Sequence, residues 1–207
     1  MLISVIAAAA LLSTAAGAAP KRPIEASRVA RWLISNTNWG SIATISMGHE
    51  HQPVGTPFAN PQSFSDGIAN STDPKKQSTG VPYFFMTGLD ETPQDLAANP
   101  NASFAVTEAQ ITGDATCAKT DTEDPTCARI VLTGQFVDVT KTGTPEENQF
   151  ALQALYSKHP SMKGWGAPGA GDHAFHIWKL HIESIFFLDF YGGSKPLTPQ
   201  KYLAASP

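Results

Sequence analysis

Between Gly80 and Val106 the chain reads G-V-P-Y-F-F-M-T-G-L-D-E-T-P-Q-D-L-A-A-N-P-N-A-S-F-A-V, an order of signals that few folds accept. Val81, Tyr83, Phe84, Phe85 and Met86 form a short apolar run of β-formers, which predicts a buried strand. A polar loop follows. Thr92-Pro93 reads as an N-cap with Pro at the first helical position, and Asn99-Pro100 stops the turn before a second strand. The loop between the strands carries Asp90, Glu91 and Asp95 and no Lys or Arg.

The first residues predict a destination. An apolar run from Leu2 ends in Ala15-Ala16-Gly17-Ala18-Ala19, small residues of the kind a signal peptidase accepts, just before Lys21-Arg22. The expectation is a leader over 1–19 and one domain over 20–207. The run is short for a bilayer span, and no later segment is long and apolar enough to make one. Basic residues are dispersed and the formal net charge is -4, so no cationic face awaits nucleic-acid phosphates.

Cys117 and Cys127 bracket a polar segment. In a secreted chain that spacing suits a disulfide closing a surface loop, worth about 2–3 kcal/mol. Its rivals are free thiols or a zinc site, although zinc would want a second ligand pair nearby. Asn70-Ser71-Thr72 and Asn101-Ala102-Ser103 match the glycosylation pattern, making Asn70 and Asn101 candidate acceptors.

Hydrophobic periodicity orders the rest: a helix over 25–35, strands over 39–47, 56–64, 81–87, 102–108 and 128–139, and a last long strand or bent strand pair over 175–191. Thr144-Pro145-Glu146-Glu147 is a capping box opening a helix to Lys158, and Thr198 caps a short final helix. About six strands with peripheral helices, punctuated by 16 Gly and 16 Pro, predict a closed or split barrel.

Blocks R-V-A-R-W-L at 28–33, W-G-S-I-A-T-I-S at 39–46, P-F-A at 57–59 and G-V-P-Y-F at 80–84 occur in this order. N-P-N-A-S at 99–103, H-P-S-M-K-G-W at 159–165 and L-D-F-Y-G-G at 188–193 complete the series. With these blocks the chain resembles the CREG family, the cellular-repressor secreted glycoproteins. Their fold is the FMN-binding split β-barrel of pyridoxamine-phosphate oxidase, mainly β with peripheral helices (α+β). The resemblance implies a homodimeric, secreted or endolysosomal glycoprotein without established catalysis, linked to growth control and receptor-mediated lysosomal delivery. It also implies a cysteine pair where Cys117 and Cys127 stand.

The same resemblance locates a phosphate loop at Thr87, Gly88, Glu91 and Thr92. Split-barrel oxidases hold FMN there with Arg and Lys, and Glu91 and Thr92 fall at the place of their Arg-Lys pair. Here no Arg or Lys lies between Trp32 and Pro74, nor between Gln77 and Ala118. An acidic residue near a phosphate repels it by a few kcal/mol at partly buried distances. The expectation is therefore a vestigial pocket and no cofactor, with Lys75-Lys76 or Lys179 as the cations that would have to compensate. The alternative is an FMN- or haem-dependent oxidoreductase.

Other candidates read as structural. His49-Glu50-His51 falls in a hairpin loop, and His176 and His181 sit on opposite faces of one strand, so no zinc template emerges. Trp165 either packs on the barrel or anchors a loop over its cleft. Asp189, inside an apolar run, would need partners. No G-x-S-x-G elbow is present. Tyr83, Phe85, Trp178 and Phe187 are candidates for an isologous dimer patch, and equally for core packing within one barrel.

Overall fold

The computed structural model describes residues 21–49, 52–111, 117, 120–166, 169 and 173–207. The expected leader lies outside these residues.

Six antiparallel strands form the body: β1 (Trp39–Ile45), β2 (Pro57–Ser65), β3 (Tyr83–Thr87), β4 (Asn101–Thr107), β5 (Arg129–Asp138) and β6 (Phe175–Leu188). They close into a barrel in the order β1-β2-β3-β6-β5-β4. Period-two alternation carries the closure. Gly40, Ile42 and Thr44 on β1, Ala102, Phe104 and Val106 on β4, and Ile130, Leu132 and Phe136 on β5 all turn inward. Phe64, Phe84 and Phe104 meet at the centre, the two contacts to Phe104 edge-to-face with centroids 4.9 Å apart.

One seam is thin. β2 pairs with β3 only at Phe64↔Phe84 and Ser65↔Tyr83, so the first half of β2 has no strand on that side. By contrast, β5 and β6 pair along their lengths with an irregularity at Thr133/Gly134. A side chain at Gly134 would meet the His181 carbonyl oxygen at 2.0 Å, which explains glycine where the strands pinch.

The helices cover the barrel: α1 (Ala26–Asn36), α2 (Glu91–Ala98), α3 (Val139–Thr142), α4 (Pro145–Lys158) and α5 (Pro199–Ala204). Thr144 caps α4 as expected, its side chain accepting from Glu147 N, while the Glu147 carboxylate reaches Tyr83 and Lys179. α4 lays Ala151 and Leu155 over Tyr83, Phe85 and Ile177, which is why β3 is buried on both faces. Burial raises the Tyr83 phenol, and the Glu147 carboxylate that accepts its proton at 3.1 Å adds to the effect.

Three expectations change. The last strand ends at Leu188 rather than Tyr191, because the chain turns into Gly192 and Gly193 at φ 103° and 90°. The long fifth strand gives way at Val139 to α3, which Asp138 caps. Tyr83, Phe85, Trp178 and Phe187 are all buried inside one subunit, so they are core and supply no dimer patch.

Arg31, inside the R-V-A-R-W-L block, is buried. Its guanidinium donates to the carbonyls of Ala205 at 2.5 Å and Ser78 at 2.6 Å, tying α1 to both the C-terminus and the loop before β3. At the other end Arg22 donates to Glu108 Oε2 and to the Asp189 carbonyl, each at 3.0 Å. Lys195 Nζ lies 2.7 Å from Asp189 Oδ1, so Asp189 has the cationic partners its burial requires.

Candidate functional site

The strand–loop–helix–strand unit forms as β3, the 88–90 loop, α2 and β4. Its cap differs from the expectation. Asp90, not Thr92, is the N-cap residue, accepting from Thr92 N at 3.3 Å. Pro93 is compatible with either reading, because proline suits the first helical turn generally and does not single out one cap.

Asp90 then turns its carboxylate toward the thin seam. Asn60 Nδ2 lies 2.9 Å and 3.1 Å from its two oxygens, and Gln62 Nε2 donates to Oδ2 at 2.7 Å. Asn60 also reaches Thr92 Oγ1 at 3.0 Å. The half of β2 without a strand partner is thus bonded to a helix cap. A carboxylate sits at the start of α2 and takes two side-chain amides and a backbone N–H, the donors that an anion at a helix start would use.

The four residues expected to form the phosphate loop are brought to one edge, but three are engaged within the protein. Thr87 donates to the His173 carbonyl, and Gly88 O accepts from Gln94 Nε2 at 2.9 Å. Thr92 is buried. Glu91 is half-buried in the first turn of α2, with no cation paired to it among the described residues. Lys179 is committed elsewhere, its Nζ 2.5 Å from Glu147 Oε1. Lys75 and Lys76 lie in a 3-10 turn capped by Asp73. The donor set does not fit an FMN phosphate: Asp90 is itself an anion at the start of α2, and among the described residues no Lys or Arg pairs with Asp90 or Glu91.

Sequence reasoning missed Asn60 and Gln62, and read Asp90 only as an acidic loop residue. The signal was two amides at i and i+2 on a strand and an acidic residue two before Thr92, all short-range patterns that acquire meaning only when the seam brings them together.

Asp95, with 0% exposure, anchors the other side of α2. It accepts from Thr44 Oγ1 at 2.7 Å and Met47 N at 2.8 Å, and His49 Nε2 lies 2.8 Å from it. His49 is therefore drawn into the fold; Glu50 and His51 lie outside the described residues. His181 is exposed on β6, while His176 pairs with Asp138 at 2.8 Å. Among the described residues no three His, Cys, Asp or Glu side chains converge to hold a metal ion. Trp165 packs rather than standing over the cleft, stacking on Phe175 at 5.1 Å and on Phe85 at 6.3 Å.

Cys117 and Cys127 are joined in a disulfide with Cα atoms 5.0 Å apart. Asn70 is exposed with φ 58°, a left-handed conformation that Asn tolerates, and Asn101 is exposed at the start of β4. No described helix is long and apolar enough to cross a membrane.

The family model described as "CREG, beta-barrel" matches residues 21–204. Protein CREG1 of Gallus gallus is 36% identical over 207 residues, covering all of both chains. Human Protein CREG2 is 37% identical over 191 residues; the match covers 91% of this chain and 59% of that longer protein. Among solved structures, a heme binding protein from Mycobacterium smegmatis superposes with a TM-score of 0.64 at 21% identity. That match covers 90% of this chain and 63% of the other, and it is a likeness of fold.

Proposed function

The chain belongs to the CREG family, and from that premise we propose that it is a non-catalytic, secreted or endolysosomal glycoprotein that acts by binding protein or glycan partners. The observation that carries this reading is the Asp90 carboxylate bonded to Asn60 and Gln62 at the start of α2, where a flavin enzyme would hold phosphate. A second anion brought there meets repulsion of a few kcal/mol at partly buried distances, and among the described residues no Lys or Arg is paired with Asp90 to offset it. The disulfide suits an oxidising compartment. Exposed Asn70 and Asn101 fit glycan attachment, and receptor or glycan-mediated contacts would follow from it.

The proposal includes a homodimer. With the earlier patch candidates buried, Phe186, Phe190 and Tyr191 on and after β6 are the exposed aromatic surface near the end of the barrel. Sedimentation of Phe190→Asp at micromolar concentration should return monomer if they lie in the contact.

The rival, an FMN- or haem-using oxidoreductase, predicts a chromophore. Purified protein should be colourless, and titrating it into FMN should leave flavin fluorescence unquenched. Stoichiometric yellow colour, or a Soret band after haem is added, overturns the non-catalytic reading.

A further inference from the structure

A cavity of about 230 Å³ opens on the other flank of α2, away from Asp90. Pro93 and Ala97 of α2, Met86 of β3 and the ring of Trp178 make its walls largely apolar. On the α2 side the polar residue Gln94 also lines it, its amide donating to Gly88 O; the charged groups enter from the opposite side. His176 Nδ1 lies 2.8 Å from Asp138 Oδ2, and Lys141 Nζ lies 3.2 Å from the same oxygen.

This pair is not needed to hold α3. Asp138 caps that helix through Oδ1, which accepts from Lys141 N, and leaves Oδ2 for the imidazole. A carboxylate at Nδ1 sets the tautomer, so the neutral ring presents the lone pair of Nε2. Among the described residues no protein group meets Nε2. Trp178, 6% exposed, lends its ring to the wall of the same cavity.

Asp138 already faces Lys141 and His176, so the site is not built to capture a cation. It offers one acceptor at Nε2 and one cationic donor at the mouth, over an apolar chamber. An apolar cavity of about 150 Å³ holds benzene, so the larger volume here accommodates a ring with one small polar group. We propose that this cavity binds a small hydrophobic carboxylic acid. The acid O–H meets His176 Nε2, its carbonyl oxygen meets the Lys141 ammonium, and its apolar body lies against Met86, Ala97 and Trp178. Whether the proton rests on nitrogen or oxygen, the net charge of the pair is the same. A few convergent polar groups in an apolar chamber are what small-molecule sites require. Gly88 also lines the cavity, which therefore adjoins the loop before α2, but the test reads His176 and Ala97 rather than Asp90, so its failure would leave the reading of the Asp90 cap untouched.

Benzoate is the probe, with benzyl alcohol as the same ring lacking the acid. In ¹H–¹⁵N spectra of the full mature protein, benzoate should move the Trp178 indole and Gln94 amide signals along a saturable curve. Benzyl alcohol should bind at least about tenfold more weakly, because it loses the charge-assisted contacts. His176→Gln should weaken benzoate by about tenfold, and Ala97→Trp, which fills the chamber, should abolish binding while the protein stays folded. If His176→Gln itself unfolds, Ala97→Trp decides. No saturable movement at about 20 mM benzoate overturns the assignment, as does equal binding of the alcohol or wild-type affinity in Ala97→Trp.

Discussion

Truncating Asp90 to Ala should cost more than a surface carboxylate normally does. The change removes the cap of α2, worth about 0.5–2 kcal/mol. It also removes the acceptor of Asn60 and Gln62, and bonds to a charged group contribute about 1.5–3 kcal/mol when buried. Both amides are half-exposed, so water recovers part of that and the combined loss should be about 2–3 kcal/mol. For a domain of this size that is a fall in Tm of about 5–10 °C. Asp90→Asn keeps an acceptor for Thr92 N and should lose about half as much. Calorimetry on Asp90→Ala, Asn60→Ala and the double variant would show the two losses coupled by about 1 kcal/mol, since they share one bond network. A Tm for Asp90→Ala within about 1 °C of the parent, or strict additivity, would refute the view that this carboxylate holds the seam between β2 and α2. FMN gives a second readout. Glu91→Arg alone should leave affinity unchanged, because Asp90 still holds the start of α2, whereas Glu91→Arg with Asp90→Ser should raise it, because only the pair both adds a cation and removes that carboxylate.

Arg22→Met should cost about 3 kcal/mol in urea unfolding, because it withdraws a cation from Glu108 (0% exposed) and Asp189 (4% exposed); a loss under about 1 kcal/mol would mean the termini are held by other contacts. Burial holds His159 below its ordinary pKa of 6.5; the Phe64 carbonyl opposes this shift and neighbouring Lys158 adds to it. The unfolded chain therefore takes the proton first, and stability should fall as pH drops below 6.5, by at most about 1.4 kcal/mol per pH unit, then level once the folded ring is protonated. His159→Gln should flatten that slope between pH 7.5 and 5, and an unchanged slope would move the cause to another group. Thr72→Ala removes the Asn70 sequon without touching its left-handed backbone, so protein from a glycosylating host should lose one glycan mass while its Tm holds; an unchanged mass would leave Asn70 unmodified.

Much of the barrel was legible in the chain because it rests on local patterns. Alternating side chains along 39–45, 101–107 and 129–138 specify which face turns inward whatever the neighbouring strand is. The Thr144 cap needs only the residues from Thr144 to Glu147, and the cysteine pair closes across ten. Where the signal was ambiguous the boundary moved: Pro93 fits either of two caps, and the apolar run through Asp189 looks like strand until Arg22 and Lys195 claim its carboxylate.

The sequence by itself determined a six-stranded barrel and a loop without cations, since charge that is absent from a segment is absent in every conformation of it. Only the tertiary structure decided what occupies the cradle. Asn60, Gln62 and Asp90 are some thirty residues apart, and their bonds exist because β2 leaves β3 after two paired positions and exposes its amides to a helix cap. In the same way His176 and Asp138 are distant in the chain and become a pair only where β5 ends beside the start of β6. Such pairings are set by strand register and closure, which are properties of the whole sheet and are carried by no single stretch of residues.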